Sequence, residues 1–248
     1  MTIAEFKEKG ILPFIKDEKG YEVLDRKYLT EEDQRQNKKF YDVVAKRYAN
    51  ERAWTVGTEK AIQVNLLSRV LRYVKPGERV LVVGTGTGKD QDLLQKSGVE
   101  VFGADLSWPM LREAANRIED KFAQAEAVAL PFSERFVDFL YAEAVAEHMD
   151  RDDLNRFLIQ AKRVIKPNSE RKAHLLLNVR NGKGNVIRVR DMGMDKFFAT
   201  YELEGLNDIF TANNMEIVEQ WQAWGGTPKV EDSLPWLDTI VRIRFDKK

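Results

Sequence analysis

Four apolar residues that favour extended backbone, Val80, Leu81, Val82 and Val83, run straight into glycines at positions 84, 86 and 88, and a helix-compatible segment, Gln91 to Gln95, follows. The pattern predicts strand, tight loop, helix. It repeats at once: Val99 to Asp105 reads as a second strand, and Ser107 and Pro109 open another helix, serine as its cap and proline tolerated in the first turn. Upstream, Ile62, Leu66, Leu67, Val70, Leu71 and Val74 recur at helical spacing, and Lys75-Pro76-Gly77 ends the run, so a helix is expected over about 58–74. Further back, Thr30 and Asp33 have capping-box spacing before a helix that carries Phe40, Tyr41, Val44, Tyr48 and Trp54 roughly on one face.

Downstream, Phe136 to Tyr141 predicts a strand, and 151–165 a helix stopped by Lys166-Pro167-Asn168. Ala173 to Val179 predicts a fifth strand, and Gly182 to Met194 a basic, glycine-containing loop. A helix near 200–211 and strands near 216–221 and 239–245 close the pattern. Strands that alternate with helices build a mostly parallel sheet covered on both faces.

Glycine has no Cβ, so the 84–88 loop can take positive φ and let a ligand lie against bare backbone, where the first amides of the next helix favour an anionic group. Asp105, ending the next strand at the same sheet edge, is placed to accept hydrogen bonds from a ribose diol. A nucleoside ligand follows. A phosphate-binding G-x-x-x-x-G-K-[ST] loop would need glycine where Val83 stands and a hydroxyl where Asp90 stands. The dinucleotide fingerprint G-x-G-x-x-G fits Gly84 and Gly86 but puts Lys89 where a small residue belongs.

The G-x-G-x-G loop followed by an acidic strand end resembles motifs I and II of the class I S-adenosylmethionine-dependent methyltransferases, in the small-molecule group that includes the ubiquinone and menaquinone methyltransferases. Three later segments are similar to that family too: Leu106-Ser107-Trp108-Pro109-Met110 after the acid, Ala127-Val128-Ala129-Leu130-Pro131-Phe132, and Arg163-Val164-Ile165-Lys166-Pro167. The resemblance implies a Rossmann-like, seven-stranded, mostly parallel sheet with helices on both faces. It implies an N-terminal helical cap over residues 1–55, whose tyrosines cover cofactor and substrate, on a cofactor-binding core over 56–248.

It also implies S-adenosylmethionine as cofactor. Gly84, Thr85, Gly86, Gly88 and Asp90 would surround it at the loop, Asp105 would hold the ribose, and Leu106, Ser107 and Met110 would flank the adenine. Glu126 and Ala127 would meet the adenine amine from the third strand, and Ala142 would lie at the end of the fourth. Two departures stand out. Glu126 is one methylene longer than the family's aspartate, and Val82 occupies the position, two before the first glycine, where many members carry an acid. Asp90 is placed to compensate for the second.

Composition narrows the function. Forty lysines and arginines balance forty aspartates and glutamates, so no field of one sign draws in nucleic acid or a membrane surface. There is no cysteine and there are only two histidines, His148 and His174, which disfavours a metal site and removes disulfides. No membrane-length apolar run or signal-like start occurs, and a cytoplasmic protein is the expectation. Methyl transfer from a sulfonium is an in-line displacement in which the protein aligns nucleophile, carbon and sulfur and excludes water. A base is needed only if the acceptor arrives protonated; Glu143, Glu147 and His148 are the candidates, with Tyr41 and Tyr48 placed to orient the acceptor. The aromatic cap favours a small-molecule acceptor. The run Arg180, Lys183, Arg188 and Arg190 keeps an RNA- or protein-directed enzyme open, and Val82 keeps open a non-catalytic, methyltransferase-like binding subunit.

Overall fold

The structure, a computed structural model, describes residues 14–16, 22–24, 29–50, 66–118, 121–167, 173–223 and 235–245. Trp54 and the first half of the helix expected over 58–74 lie outside these; residues 66–70 are helical as the spacing predicts.

The main sheet has seven strands, β3 (Arg79–Val83), β4 (Glu100–Asp105), β5 (Phe122–Gln124), β6 (Phe139–Ala142), β7 (His174–Asn181), β10 (Met215–Ala223) and β11 (Trp236–Ile243). Their order is β5-β4-β3-β6-β7-β11-β10; neighbours from β5 to β7 run parallel, and β11 lies antiparallel to both β7 and β10. Side-chain alternation splits the core in two. Leu81 and Val83 face one cluster with Leu154, Phe157 and Phe210, while Val80 and Val82 face another with Leu66, Val70 and Leu94. Helices therefore cover both faces, as continuous apolar strands require.

Besides the helical residues 66–70, the described residues include the helices α1 (Glu31–Asn50), α2 (Lys89–Gln95), α3 (Trp108–Ala114), α4 (Arg151–Val164) and α5 (Leu203–Ala212). Their caps follow the sequence. Thr30 N–H donates to Asp33 Oδ2 at 2.7 Å while Asp33 N–H donates to Thr30 Oγ at 3.3 Å, a reciprocal capping box. Ser107 Oγ accepts from Met110 N–H at 3.3 Å, with Pro109 in the first turn. Arg163 of α4 donates to the carbonyls of Leu130 and Phe132 at 2.7 and 2.6 Å, which pins the Leu-Pro-Phe segment under the sheet edge.

The sheet departs from the expectation in one place. Residues 182–194 do not form an irregular loop: β8 (Val186–Asp191) and β9 (Met194–Tyr201) make a hairpin, with β1 (Phe14–Lys16) and β2 (Glu22–Leu24) added along its edge. Met192 and Gly193 both have positive φ, 51° and 75°, the signature of a two-residue turn whose twist suits paired strands. This antiparallel layer joins β7 where Arg180 and Asn181 pair with Thr200 and Tyr201, just beyond the end of β6. The helix expected near 200–211 consequently begins at Leu203, because Tyr201 still belongs to a strand. Eleven strands are thus described, seven of them in the expected sheet.

Candidate active site

The glycine loop leaves β3 with Gly84, Gly86 and Gly88 at φ of 73°, 53° and 78°. At Gly84 a Cβ would lie 2.1 Å from Val145 Cγ2, so only hydrogen fits. Asp105 ties the loop to its surroundings: Oδ2 accepts from Gly86 N–H at 2.7 Å and Oδ1 from Ser107 N–H at 2.8 Å. Burial pushes its carboxyl above the ordinary range, and the two amides oppose that. Ser107 Oγ–H in turn donates to Asp42 Oδ1 of α1 at 2.6 Å, and Lys89 Nζ donates to the Tyr48 carbonyl at 2.7 Å. The amphipathic helix and the loop are therefore held together by polar contacts as well as by the Phe40, Val44, Ala45 and Met110 cluster.

Three carboxyls, Asp90, Glu143 and Asp238, face one another beside the loop. Burial first, and the charge of Asp90 second, push Glu143 well above the ordinary range; Tyr141 donates its hydroxyl to Glu143 Oε2 at 2.6 Å. Asp238 is pushed up to about 6 by burial, against hydrogen bonds from Asn178 and Trp221 and the charge of Arg69. Its Oδ1 is buried and has no hydrogen-bond partner among the described residues. Asn178 stands directly opposite Asp238 in the β7–β11 register, and its Oδ1 accepts from Ala144 N–H at 2.7 Å. Val82, by contrast, packs in the core. Three acidic side chains thus converge beside the loop from α2, the β6 end and β11.

On the other side of the loop, α1 and the β8–β9 hairpin enclose an aromatic chamber. Tyr41 OH and His148 Nε2 are 2.8 Å apart, with the rings edge to face. Phe198 lies 5.1 Å from the imidazole, centre to centre. Behind the histidine, Arg180 Nε donates to Glu147 Oε2 at 2.8 Å, both side chains buried, and the guanidinium stacks 3.6 Å above Trp236. Lys196 Nζ sits 4.6 Å from the centre of Phe40 and 3.5 Å from Asp191. Burial holds His148 below its ordinary pKa, opposed mainly by Glu147, which favours the neutral imidazole.

The two regions form one cleft of about 1050 Å³. Of the residues singled out from sequence, Tyr41, Gly84, Thr85, Gly86, Asp90, Asp105, Leu106, Ser107, Met110, Glu126, Ala127, Glu143 and His148 line it. Gly88 and Ala142 do not. Gly88 packs under α3, where a Cβ would meet Ala114 at 3.1 Å, and Ala142 is fully enclosed in the core. Glu143, a candidate base from the sequence, is mostly buried. It belongs to the carboxyl cluster and is separate from the Tyr41–His148 pair. Asn37, Asn178, Arg180, Lys196, Trp236 and Asp238 also line the cleft. Of these, Arg180 was already marked by the basic run, and Asn178 and Asp238 carry a readable signal as polar residues interrupting apolar strands.

No curated protein sequence matches the chain. Residues 81–170 match the family model described as "Methyltransferase domain". Among solved structures, the chain is similar to 1,6-didemethyltoxoflavin-N1-methyltransferase of Burkholderia thailandensis, determined with 1,6-didemethyltoxoflavin and S-adenosylhomocysteine bound (TM-score 0.67, 16% identity, 94% of this chain and 98% of that one). It is similar to magnesium protoporphyrin IX methyltransferase of Synechocystis with bound SAM (0.62, 14%, 86% and 97%). It is also similar to a structure of a putative methyltransferase in complex with the Trm112 methyltransferase activator of Haloferax volcanii (0.64, 17%, 86% and 99%). At these identities the likeness establishes the fold, and the matched domain covers the glycine loop, the acidic strand end and the Leu-Pro-Phe segment. Residues 81–170 therefore form a methyltransferase domain, in a chain that has the fold of S-adenosylmethionine-dependent methyltransferases.

Proposed function

We propose that the protein transfers the methyl group of S-adenosylmethionine to a small-molecule acceptor held in the chamber beneath α1. The observation that carries this reading is the continuity of the cleft, which runs from Asp105 and the glycine loop to the aromatic walls of Tyr41, His148, Phe198 and Trp236. When bound, the cofactor supplies a methyl group already activated as a sulfonium; the chain has to bind, orient and exclude water.

The residues fit such a ligand at both ends. Asp105, its carboxylate already held by two amides, takes the ribose diol, and Leu106, Ser107, Met110, Glu126 and Ala127 form the adenine wall. Asp90, Glu143 and Asp238 take the cationic end of the methionine moiety, in place of the acid missing at Val82. The unpartnered Oδ1 of Asp238 is the acceptor atom that a bound ammonium would satisfy. Residues 1–55 act as a cap on the 56–248 core, with α1 as the part that carries Tyr41 over the acceptor. The Burkholderia neighbour, named for methylating a small heterocycle, supports the choice of acceptor class.

Calorimetric titration with S-adenosylmethionine and S-adenosylhomocysteine tests the cofactor half of the reading. Formation of S-adenosylhomocysteine over a panel of small aromatic and heterocyclic acceptors tests the other half. Absence of cofactor binding by the folded protein would end the proposal. Turnover on RNA alone, falling steeply with salt, would move the acceptor to another class.

A further inference from the structure

We infer that Asn37 is a positioning residue that fixes His148 in the tautomer protonated at Nε2, so that the imidazole donates to Tyr41 and the Tyr41 phenol hydrogen is directed away from it, on the cleft side. This rests on the preceding reading only for its consequence, not for its geometry.

The Asn37 amide cannot turn. Its Oδ1 accepts from Phe197 N–H at 2.7 Å and its Nδ2 donates to the Phe197 carbonyl at 2.8 Å, a two-point clamp on the β9 backbone made by a buried side chain. Exchanging the amide's oxygen and nitrogen would set donor against donor and carbonyl against carbonyl, so the amide orientation follows from the main chain. Nδ2 carries a second hydrogen, and His148 Nδ1 lies 3.2 Å from the Nδ2 nitrogen. A proton on Nδ1 would oppose that hydrogen. The competing partner of Nδ1, the Phe197 carbonyl, is farther, at 3.4 Å, and already accepts from Asn37. Nδ1 is therefore the acceptor and Nε2 carries the proton.

Of the groups around the ring, the Phe197 carbonyl alone favours a proton on Nδ1, and it is the farther partner. Glu147 Oε1 stands 3.8 Å from Nε2 and attracts a proton to that side, while Lys196 and Arg180 on the facing strands oppose a second positive charge on the ring. With Nε2–H directed to the Tyr41 oxygen, a proton cannot pass from acceptor through Tyr41 to His148, because Nε2 offers no lone pair. Tyr41 instead presents a donor. The acceptor class that suits it reaches the cleft with its nucleophile already unprotonated and shows Tyr41 a carbonyl, a phenolate or a ring nitrogen. The general-base role expected of His148 from sequence is replaced by an orienting one.

The chain has only two histidines, so the imidazole nitrogens of the ¹⁵N-labelled, cofactor-free protein can be read directly by long-range ¹H–¹⁵N correlation, with His148→Gln or His174→Gln identifying which set is which. The expected spectrum has His148 protonated at Nε2 and bare at Nδ1. Asn37→Asp keeps the acceptor for Phe197 N–H and replaces the donor to Nδ1 with an acceptor. It should move the proton to Nδ1 and raise the His148 pKa by about 1 to 3 units. A wild-type spectrum with the proton on Nδ1, or an Asn37→Asp protein that keeps the wild-type tautomer, would overturn the inference. If that variant does not fold, the wild-type spectrum decides alone. Because no cofactor is present, loss of the methyltransferase reading would appear in calorimetry and not here.

Discussion

Asp238→Asn separates what the carboxyl cluster does for binding from what it costs the fold. Asp238 is 1% exposed, and its pKa is pushed up from 3.8 to about 6, chiefly by burial. The folded state therefore binds this proton more tightly than the unfolded chain does. Stability contributed below pH 3.8 is lost as the pH rises to about 6, and above that the folded protein carries the whole cost of the buried charge. At 1.36 kcal/mol per pKa unit this amounts to about 3 kcal/mol at pH 7. An asparagine keeps one oxygen for the hydrogen bonds from Asn178 and Trp221 and carries no charge. Urea denaturation of parent and variant at pH 4 and pH 7 should show the variant gaining about 2–3 kcal/mol relative to the parent between the two. Affinity for S-adenosylmethionine should fall about ten- to a hundredfold, the worth of one charge-assisted hydrogen bond to a cation. A variant that loses stability at both pH values while the parent's pH slope persists would refute the electrostatic account. Unchanged cofactor affinity would remove Asp238 from the cationic end of the site.

Asp105→Ala should lower cofactor affinity at least a hundredfold in calorimetry with the circular dichroism spectrum unchanged, because the residue holds the loop through two hydrogen bonds and burial already opposes its charge. Gly84→Ala should abolish binding and cost about 2 kcal/mol or more by thermal melt, since its methyl group would overlap Val145 at a positive φ. Arg180→Ala leaves Glu147 buried without its partner and should cost about 3–5 kcal/mol; adding Glu147→Gln should restore part of that in the same melt.

The parts of the site that were legible in the sequence are those whose signals are local. The glycine loop, Asp105, the Ser107 cap and the Thr30–Asp33 box each lie within a few residues of the groups they serve, and spacing rules apply to them directly. The hairpin over 186–201 was hidden because Arg188 and Arg190 made it look like a charged loop, although the pair Met192-Gly193 between extended runs is a turn signal. Asn178 with Asp238, and Arg180 with Trp236, are cross-strand neighbours about sixty residues apart in sequence. Register fixes them, and register becomes known only once β11 is placed beside β7. Asn37 shows no sign in sequence at all, since an asparagine inside a charged helix looks like surface until the β9 backbone is set against it.

That contrast bears on where acceptor specificity resides. The parallel strands and their loop supply the cofactor half, and they do so with features that a sequence pattern describes. In the proposed reading the acceptor half is built by α1 and the β8–β9 hairpin, which lie outside the parallel ladder and meet through the Asn37 clamp on Phe197. At its other end α1 is fastened to the cofactor half by Asp42 on Ser107, Lys89 on the Tyr48 carbonyl and Arg117 on the Ala49 carbonyl. Only a small apolar cluster supports these contacts, so the helix owes much of its placement to directional bonds, which fix its rotation and its position along its axis where apolar packing would leave both loose. A helix fixed in that way sets Tyr41 at a defined distance from the glycine loop, and in an in-line displacement that distance is the quantity the protein has to control.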